Sequence, residues 1–262
     1  MSLPTGTQAR AGFRYDGYGT LGRLGLIYIA SSIVMDAEWA AMAAPGLSVH
    51  TTRLRLPKVT LEGIDAMMNA PELEQSARLV GSAPIDVMCF GGTSASFVYG
   101  TAYDTGLIGR MERWAPGVKA TTASTASLAA LREVKAGPVA LATPYVDSIH
   151  ERAINFLESN GHPVLNSGNL GIDEDWALAE VPLEQVFDHV VACDHPDATA
   201  IFISCTNFRS SGAIEALETA LGKPVISAVQ ASFWHCLEVA GIDGARPGYG
   251  RLFARRLAPG IA

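Results

Sequence analysis

The sequence predicts an α/β protein made of two similar halves, each with a parallel sheet. Short apolar segments alternate with helix-like segments of about 10–15 residues, which is typical of βαβ units. Residues 25–32 also match residues 138–145, and residues 90–94 match residues 203–207, both at the separation of Gly92 and Cys205, 113 residues. We therefore expect two Rossmann-like domains related by a pseudo-twofold axis. Since parallel sheets bind ligands at the carboxyl ends of their strands, the active site is expected in the cleft between them.

Strands and helices are predicted to alternate along the first half. Residues 23–32 ("RLGLIYIASS") form an apolar run that ends in serines, as expected of a buried parallel strand followed by a loop. Residues 48–56 alternate like a strand, and residues 85–92 ("IDVMCFGG") form another apolar run. Helical composition is found at residues 35–44, at 61–83 with an interruption at Pro71, and at 95–115.

The same alternation continues along the second half. Strands are predicted at residues 138–145, 199–208 and 223–230, and a strand with a following loop at residues 162–172. Helices are predicted at 123–137, ended by Gly137, and at 146–161, 182–195, 211–222 and 231–241. The predicted division is a first half of residues 1–119 plus 229–262 and a second half of residues 120–228.

Composition narrows the classes of partner. The chain has 262 residues, of which 48% are apolar, so it can bury a sizeable core. Its formal charge is −7 without a basic cluster, which argues against nucleic acid as a partner. Residues 1–19 lack the apolar segment of a signal peptide, no run is long enough to cross a membrane, and the four cysteines show no regular spacing. We expect a cytoplasmic protein with free thiols and no membrane partner, whereas the oligomeric state stays open.

Cys205 is the first candidate for chemistry. It ends a predicted strand and is followed by Thr206, Asn207 and a helix predicted to begin near Ser211. A helix amino terminus would stabilise its thiolate, so the thiol could give or take a proton near neutral pH. The alternative is a buried cysteine that only packs, which is the role we expect for Cys89 and Cys236.

The segment "GGTSAS" at residues 91–96 is the second candidate. Small residues at a strand-to-helix turn expose backbone N–H groups and hydroxyls that suit an anion, although an ordinary helix cap is the alternative. Tyr145 ends a strand and could donate a hydrogen bond to an oxyanion or pack at the rim of the cleft. The six histidines are scattered and no dinucleotide-binding glycine motif follows a strand, so we expect neither a metal nor another cofactor.

Two α/β halves that each end a strand in cysteine are typical of the aspartate/glutamate/hydantoin racemase superfamily. Here glycine stands at the first of these positions, and that departure resembles the arylmalonate decarboxylase family. The segments that carry the resemblance, in order, are "GGTSASF", "ASTASLAALR", "VALATPYVDSIHERAINFL", "ISC" and "ARPGYGRLF" (245–253).

The resemblance implies a cofactor-independent decarboxylase of 2-substituted malonates, with a small carboxylate or dicarboxylate as its substrate. It implies that Cys205 protonates the enediolate left by carbon dioxide. It also implies an oxyanion hole that holds the retained carboxylate. The hole includes Gly92, the side chains of Thr93, Ser94 and Tyr145, and the backbone N–H groups around Ser94 and around Cys205 and Thr206.

Two alternatives stay open at this point. "TTRLRL" (51–56) and "SCTN" (204–207) are more similar to maleate cis–trans isomerases, or an Asp/Glu-type racemase would fit the superfamily. The isomerases, however, have asparagine where this chain has Ile33, and they need the first cysteine. Asp175 and Ala95 stand where larger apolar residues line the decarboxylase pocket, so the resemblance implies the reaction class rather than an aryl substrate. The other alternative is a non-catalytic binder of small carboxylates in which Cys205 only packs.

Overall fold

Two four-stranded parallel sheets form the framework of the protein in a computed structural model that describes residues 17–244 and 246–254. The first sheet has the strand order β2-β1-β3-β4, and the second has the order β6-β5-β7-β8. All strand pairs within each sheet are parallel. The strands are β1 (Gly22–Ile29), β2 (Leu47–Leu54), β3 (Val87–Phe90), β4 (Lys119–Thr122), β5 (Val139–Tyr145), β6 (Val164–Ile172), β7 (Ala200–Ile203) and β8 (Val225–Ser227).

The two sheets have the same topology, which confirms the predicted fold class. Shifting β3 by 113 residues places it on β7 end to end, and each of these strands lies between the corresponding neighbours of its own sheet. The interior strands are buried on both faces, as parallel strands under helices must be. Each fully buried Leu, Ile or Val side chain contributes roughly 1.5–3 kcal/mol to folding.

Helices connect the strands and cover the sheets. Helix α11 packs on β3 and β4, and it also contacts α1 and α6. The helices are α1 (Val34–Met42), α2 (Leu61–Met68), α3 (Pro71–Val80), α4 (Thr93–Phe97), α5 (Thr101–Trp114), α6 (Ala123–Glu133), α7 (Asp147–Ser159), α8 (Asp175–Leu178), α9 (Leu183–Ala192), α10 (Ile214–Leu221) and α11 (Ala228–Ala240).

One strand was missed by the sequence analysis, and the bounds of two predicted elements need correction. Strand β4 was not predicted, because its short sequence "KATT" has no apolar run. The helix predicted at 95–115 is two helices, α4 and α5, separated at Gly100, whose φ of 80° is left-handed. The strand predicted to reach residue 230 ends at Ser227, since the side chains of Ser227 and Gln230 form a capping box that begins α11.

The predicted division into halves is also wrong at one boundary. A boundary after residue 119 falls inside β4, which pairs with β3 in the first sheet. The rest of that division stays a prediction, and residues 1–16, 245 and 255–262 of the predicted first half lie outside the described residues.

All four cysteines are free, as predicted, and all are buried. Cys89 and Cys236 lie in the core, away from the cavity described below. Within the described residues, no helix has both the length and the apolar character that crossing a membrane requires. The cytoplasmic location stays a prediction.

Candidate active site

A cavity at the carboxyl ends of β1, β3, β5 and β7 is lined by residues of both halves. Its wall includes every site residue that the sequence predicted: Gly92, Thr93, Ser94, Tyr145, Cys205 and Thr206. The free volume is about 20 Å³, which is room for about one water molecule. The structure therefore shows a closed cleft.

Cys205 follows β7 in an unusual backbone conformation. Its φ is 115°, a value that side chains other than glycine rarely adopt and that costs about 1–3 kcal/mol. The strand is still paired one residue earlier, since the Ser204 N–H donates to the Ala142 carbonyl at 3.0 Å. The Asn207 N–H donates to the Cys205 sulfur at 3.3 Å. A strained cysteine on a cavity wall is a candidate functional group.

The expected stabilisation of the Cys205 thiolate is wrong. Burial raises the pKa of the thiol to about 12, and the hydrogen bond from Asn207 only partly opposes this. The helix predicted to begin near Ser211 starts with a 3₁₀ turn at residues 211–213 and continues as α10 from Ile214, so its start lies six residues after Cys205 in the chain. The thiol is therefore protonated at neutral pH and suits a proton donor better than a nucleophile.

The first-half turn carries unused hydrogen-bond donors. Gly92 has φ −124°, and α4 begins immediately after it. The hydroxyl of Thr93 is buried and has no hydrogen-bond partner. The N–H groups of Thr93 and Ser94 also make no hydrogen bond to the backbone of the described residues. Since an unpaired buried polar group costs about 1–3 kcal/mol, these donors favour a ligand with acceptor oxygens.

Tyr145 lies beside these donors at the end of β5. Its side chain is buried and packs edge-on against Phe97, with ring centroids 6.3 Å apart. Burial raises the pKa of its hydroxyl well above the ordinary value, and the nearby Cys205 raises it further. The phenol is thus a neutral hydrogen-bond donor. The buried hydroxyls of Ser204 and Thr93 make no hydrogen bond of good geometry, but both lie close enough to the Tyr145 hydroxyl to lower its pKa.

Thr206 is held by the first half through its side chain. Its hydroxyl donates to the Gly91 carbonyl at 2.8 Å, and its own carbonyl accepts from the Tyr28 hydroxyl at 2.8 Å. The Thr206 hydroxyl is therefore engaged, whereas the N–H groups of Cys205 and Thr206 have no partner in the described backbone. Thr206 can contribute to an oxyanion hole only through its N–H.

Asn207 and Glu38 join the two halves, and sequence reasoning assigned them no role. The Asn207 carbonyl oxygen accepts from the N–H groups of Ile33 (3.0 Å) and Val34 (3.4 Å) at the start of α1. In return, Glu38 of α1 accepts from the Ser210 N–H at 2.9 Å. The motif "SCTN" was the available signal for Asn207, but its cross-cleft partner could not be identified from sequence.

A short ribbon, which we call the latch, borders the cleft. It consists of residues 57–59 from the first half and residues 173–175 from the second half. The Val59 N–H donates to the Asp173 carbonyl at 2.6 Å, and the Asp175 N–H donates to the Pro57 carbonyl at 3.1 Å. Lys58 adds ion pairs to Asp173 (3.0 Å) and Glu174 (3.1 Å). Both segments of the latch contribute to the cavity wall.

Two other kinds of site, a metal site and a second cavity, have less support from the side chains present. No group of His, Cys, Asp or Glu side chains in residues 17–244 and 246–254 is arranged to hold a metal ion. A larger cavity of about 430 Å³ lies beside α1, bounded by residues such as Ile33, Leu183 and Arg209. It contains neither a cysteine nor an unpaired buried donor, so the small cavity is the better candidate.

Comparison with known proteins points to one family. The family model described as arylmalonate decarboxylase matches residues 24–253. Arylmalonate decarboxylase of Bordetella bronchiseptica is 36% identical over 235 residues, which are 88% of this chain and 95% of that protein.

Solved structures agree with this match. A glycine-to-cysteine, cysteine-to-serine mutant of arylmalonate decarboxylase in its liganded form is 33% identical, covers 89% of this chain and 99% of its own, and has a TM-score of 0.83. A cysteine-to-serine mutant of Nocardia farcinica maleate cis–trans isomerase is 26% identical, covers 88% of this chain and 98% of its own, and has a TM-score of 0.84. That isomerase structure contains a covalently bound succinylcysteine intermediate.

Proposed function

Because the chain belongs to the arylmalonate decarboxylase family, and is thus an enzyme of the carbon–carbon lyase class, we propose that it decarboxylates 2-substituted malonates without a cofactor. Cys205 protonates the enediolate intermediate in this proposal. Thr93, Ser94 and Tyr145, with the N–H groups of Cys205 and Thr206, hold the retained carboxylate. The observation that carries the proposal is a protonated, buried thiol on the same cavity wall as several donors without partners.

The reaction needs an electron sink and one acid. When the bond between C2 and the departing carboxylate breaks, its electron pair moves into the retained carboxylate and forms an enediolate. Preorganised donors stabilise the developing charge on the two oxygens. The Cys205 S–H then transfers its proton to C2, and the resulting thiolate recovers a proton from water before the next turnover.

The closed cleft supports this chemistry. A cavity with room for about one water molecule excludes most solvent, so hydrogen bonds to the enediolate are stronger than they would be in water. Apolar side chains, among them Ile29, Leu56 and Leu178, form part of its wall and favour neutral carbon dioxide over a carboxylate.

The isomerase alternative has less support. A succinylcysteine forms when a thiolate adds to a double bond, and the Cys205 thiol is held in its protonated form. Gly92 also leaves the opposite position without a second thiol. Racemisation needs one group to remove a proton and another to return one, whereas decarboxylation needs a single acid.

The test is an assay of the purified, chelator-treated protein against three substrate classes: 2-substituted malonates (phenyl-, methyl- and hydroxymalonate), maleate, and aspartate with glutamate. We expect carbon dioxide from at least one malonate, no fumarate from maleate, and no racemised amino acid. Carbon dioxide from no malonate would contradict the proposal. Calorimetric binding of malonates without turnover would instead identify a carboxylate-binding protein.

Substituting the donors tests the oxyanion hole. Thr93→Val and Tyr145→Phe each remove one hydroxyl with little change of shape. We expect each to weaken malonate binding and to lower kcat by about 10- to 100-fold, because the donors contact the substrate in both the ground state and the transition state. Ser127→Ala, which removes a buried hydroxyl bonded within α6 at 2.7 Å to the Ala123 carbonyl, is the matched control.

A further inference from the structure

Asp175 places a carboxylate in the same cavity as Cys205, and the proposed reaction makes no use of it. The residue is only 3% exposed. Its Oδ2 accepts hydrogen bonds from the hydroxyls of Ser31 (2.7 Å) and Ser32 (2.8 Å). Its backbone is fixed as well, since its carbonyl accepts from the Asn207 side-chain amide at 2.6 Å. The carboxylate is therefore held in one orientation from both halves of the protein.

The second oxygen of this carboxylate has no assigned partner. No hydrogen bond joins Oδ1 to any residue in the part of the chain that the structure describes. Around Asp175 the cavity wall is largely apolar, with Leu56, Val59 and Leu178 among its members. Asp175 as a whole is almost fully withdrawn from solvent, so a ligand that donates a hydrogen bond to Oδ1 is favoured over one that does not.

The carboxylates of the substrate cannot supply that donor. Malonate carboxylates are ionised acceptors at neutral pH. Burial raises the pKa of Asp175, while the hydroxyls of Ser31 and Ser32 oppose that shift, and its ionised form repels a neighbouring carboxylate in a cavity of low dielectric constant. The oxyanion-hole donors, in contrast, lie on the two strand-end turns. The part of the substrate left to meet Asp175 is the 2-substituent.

We propose that Asp175 determines substrate specificity by accepting a hydrogen bond from a hydroxyl or ammonium group on the 2-substituent. This inference rests on the proposed function and names its substrate class: malonates with a donor-bearing substituent rather than a purely hydrocarbon one. A site with a buried acceptor discriminates strongly against analogues that lack the donor, because the acceptor is then left unpaired.

The experiment uses substrates matched in size. At one length these are hydroxymalonate, aminomalonate and methylmalonate, and at the next length hydroxymethylmalonate and ethylmalonate. We expect the wild-type enzyme to favour a donor-bearing member over its hydrocarbon match by about 10- to 100-fold in kcat/KM for carbon dioxide release. The hydroxyl and ammonium arms show which donor the site takes.

Asp175→Asn is the decisive variant. Its amide oxygen can still accept from Ser31 and Ser32, so the fold is retained, while an N–H₂ group replaces the free acceptor. The preference for donors is expected to disappear. Glu174→Gln, which neutralises the neighbouring latch carboxylate outside the cavity wall, is the matched control and is expected to keep the preference. Asp175→Val is expected to favour the hydrocarbon members.

The two proposals fail in different ways. Carbon dioxide release with no donor preference, or with a preference that Asp175→Asn leaves unchanged, overturns the role of Asp175 and leaves the decarboxylase intact. If no malonate releases carbon dioxide, the decarboxylase proposal fails. Calorimetric affinities of the same five compounds then decide the role of Asp175, and the absence of binding by all of them overturns both.

Discussion

The turns after β3 and β7 occupy equivalent positions in the two sheets, yet they are built differently. After β3, Gly92 has φ −124° and the chain enters α4 at once. After β7, Cys205 has φ 115° and the next helical turn begins only at residue 211. The first turn presents donors, while the second presents a thiol and the side chains that join the halves. In the proposed function, the first turn binds the retained carboxylate and the second donates the proton.

The residue types at positions 92 and 205 are not the ones that the local backbone conformation would favour. At Gly92 the backbone would accept any residue, but an added Cβ would lie 2.8 and 2.9 Å from two ring atoms of Phe90. At Cys205 the backbone would favour glycine, and a cysteine stands there. Close packing against Phe90 explains a glycine at residue 92, whereas backbone conformation does not explain a cysteine at residue 205, which its proposed role as the acid does explain.

The largest expected effect comes from removing that acid. Cys205→Ser should lower kcat by about 10²- to 10⁴-fold, because a hydroxyl is far less acidic than a thiol of similar size. Malonate binding, measured by calorimetry, should stay close to that of the wild type. The same substitution at Cys193, a buried cysteine outside the cavity, should leave kcat unchanged. A Cys205→Ser variant that keeps most of its activity would show that the acid lies elsewhere.

Making the two turns alike tests whether they face one substrate. Gly92→Cys should introduce a second thiol and with it exchange of the α-proton of the product in heavy water, followed by racemisation. Decarboxylation should persist at a rate lowered by about tenfold, since the Phe90 ring must move. Gly92→Ala adds only the Cβ and should lower the rate without exchange. A Gly92→Cys variant that releases carbon dioxide but exchanges no proton would break the symmetry argument.

The backbone difference predicts opposite responses to glycine and alanine. At residue 205, glycine should be more stable than alanine by about 1–2 kcal/mol, because only glycine adopts φ 115° without strain. At residue 92, where φ is negative, alanine should carry only the cost of the contact with Phe90. Free energies of unfolding from urea titrations measure both differences. Equal stability of the two variants at 205 would argue against strain there.

The smallest effect is expected from pH. Burial raises the pKa of Cys205 to about 12, so the proton-donating form predominates at every pH below that value. We expect kcat to change by less than about twofold between pH 7 and pH 9. A thiol with the ordinary pKa of about 8.5 would lose about fourfold of its protonated form over this range. A decrease of that size would show that the thiol titrates with an ordinary pKa in the working enzyme.

Much of the fold follows from local patterns. Strands such as β1, β3 and β5 are apolar runs that can be recognised from their own residues, whatever surrounds them. The 113-residue repeat relates the two halves directly. Strand β4 could not be predicted from the sequence, because two of its four residues are threonines and it is buried only by the packing of α6 and α11 around it. The Gly100 break depends on a backbone angle rather than on hydropathy.

The candidate site was predictable in its members but not in its energetics. Strand ends located Cys205, Thr93 and Tyr145, because parallel strands place their carboxyl ends together. The protonation state of Cys205 was not predictable, since it depends on burial that the opposite half supplies. The contacts that Asn207 and Asp175 make with the first half were not predictable for the same reason: Ile33 and Ser31 lie more than 100 residues away in the chain.

The latch has a consequence for the timing of turnover. We expect a malonate to enter when residues 57–59 separate from residues 173–175, because the cavity that they border has room for only about one water molecule. The ion pairs of the latch are exposed and it has only two backbone hydrogen bonds, so we expect it to open readily, on the microsecond-to-millisecond timescale of lids. We therefore expect substrate entry and product release to depend on the same motion. If the chemical step is faster than the opening of the latch, kcat should depend on solvent viscosity rather than on the acidity of the thiol.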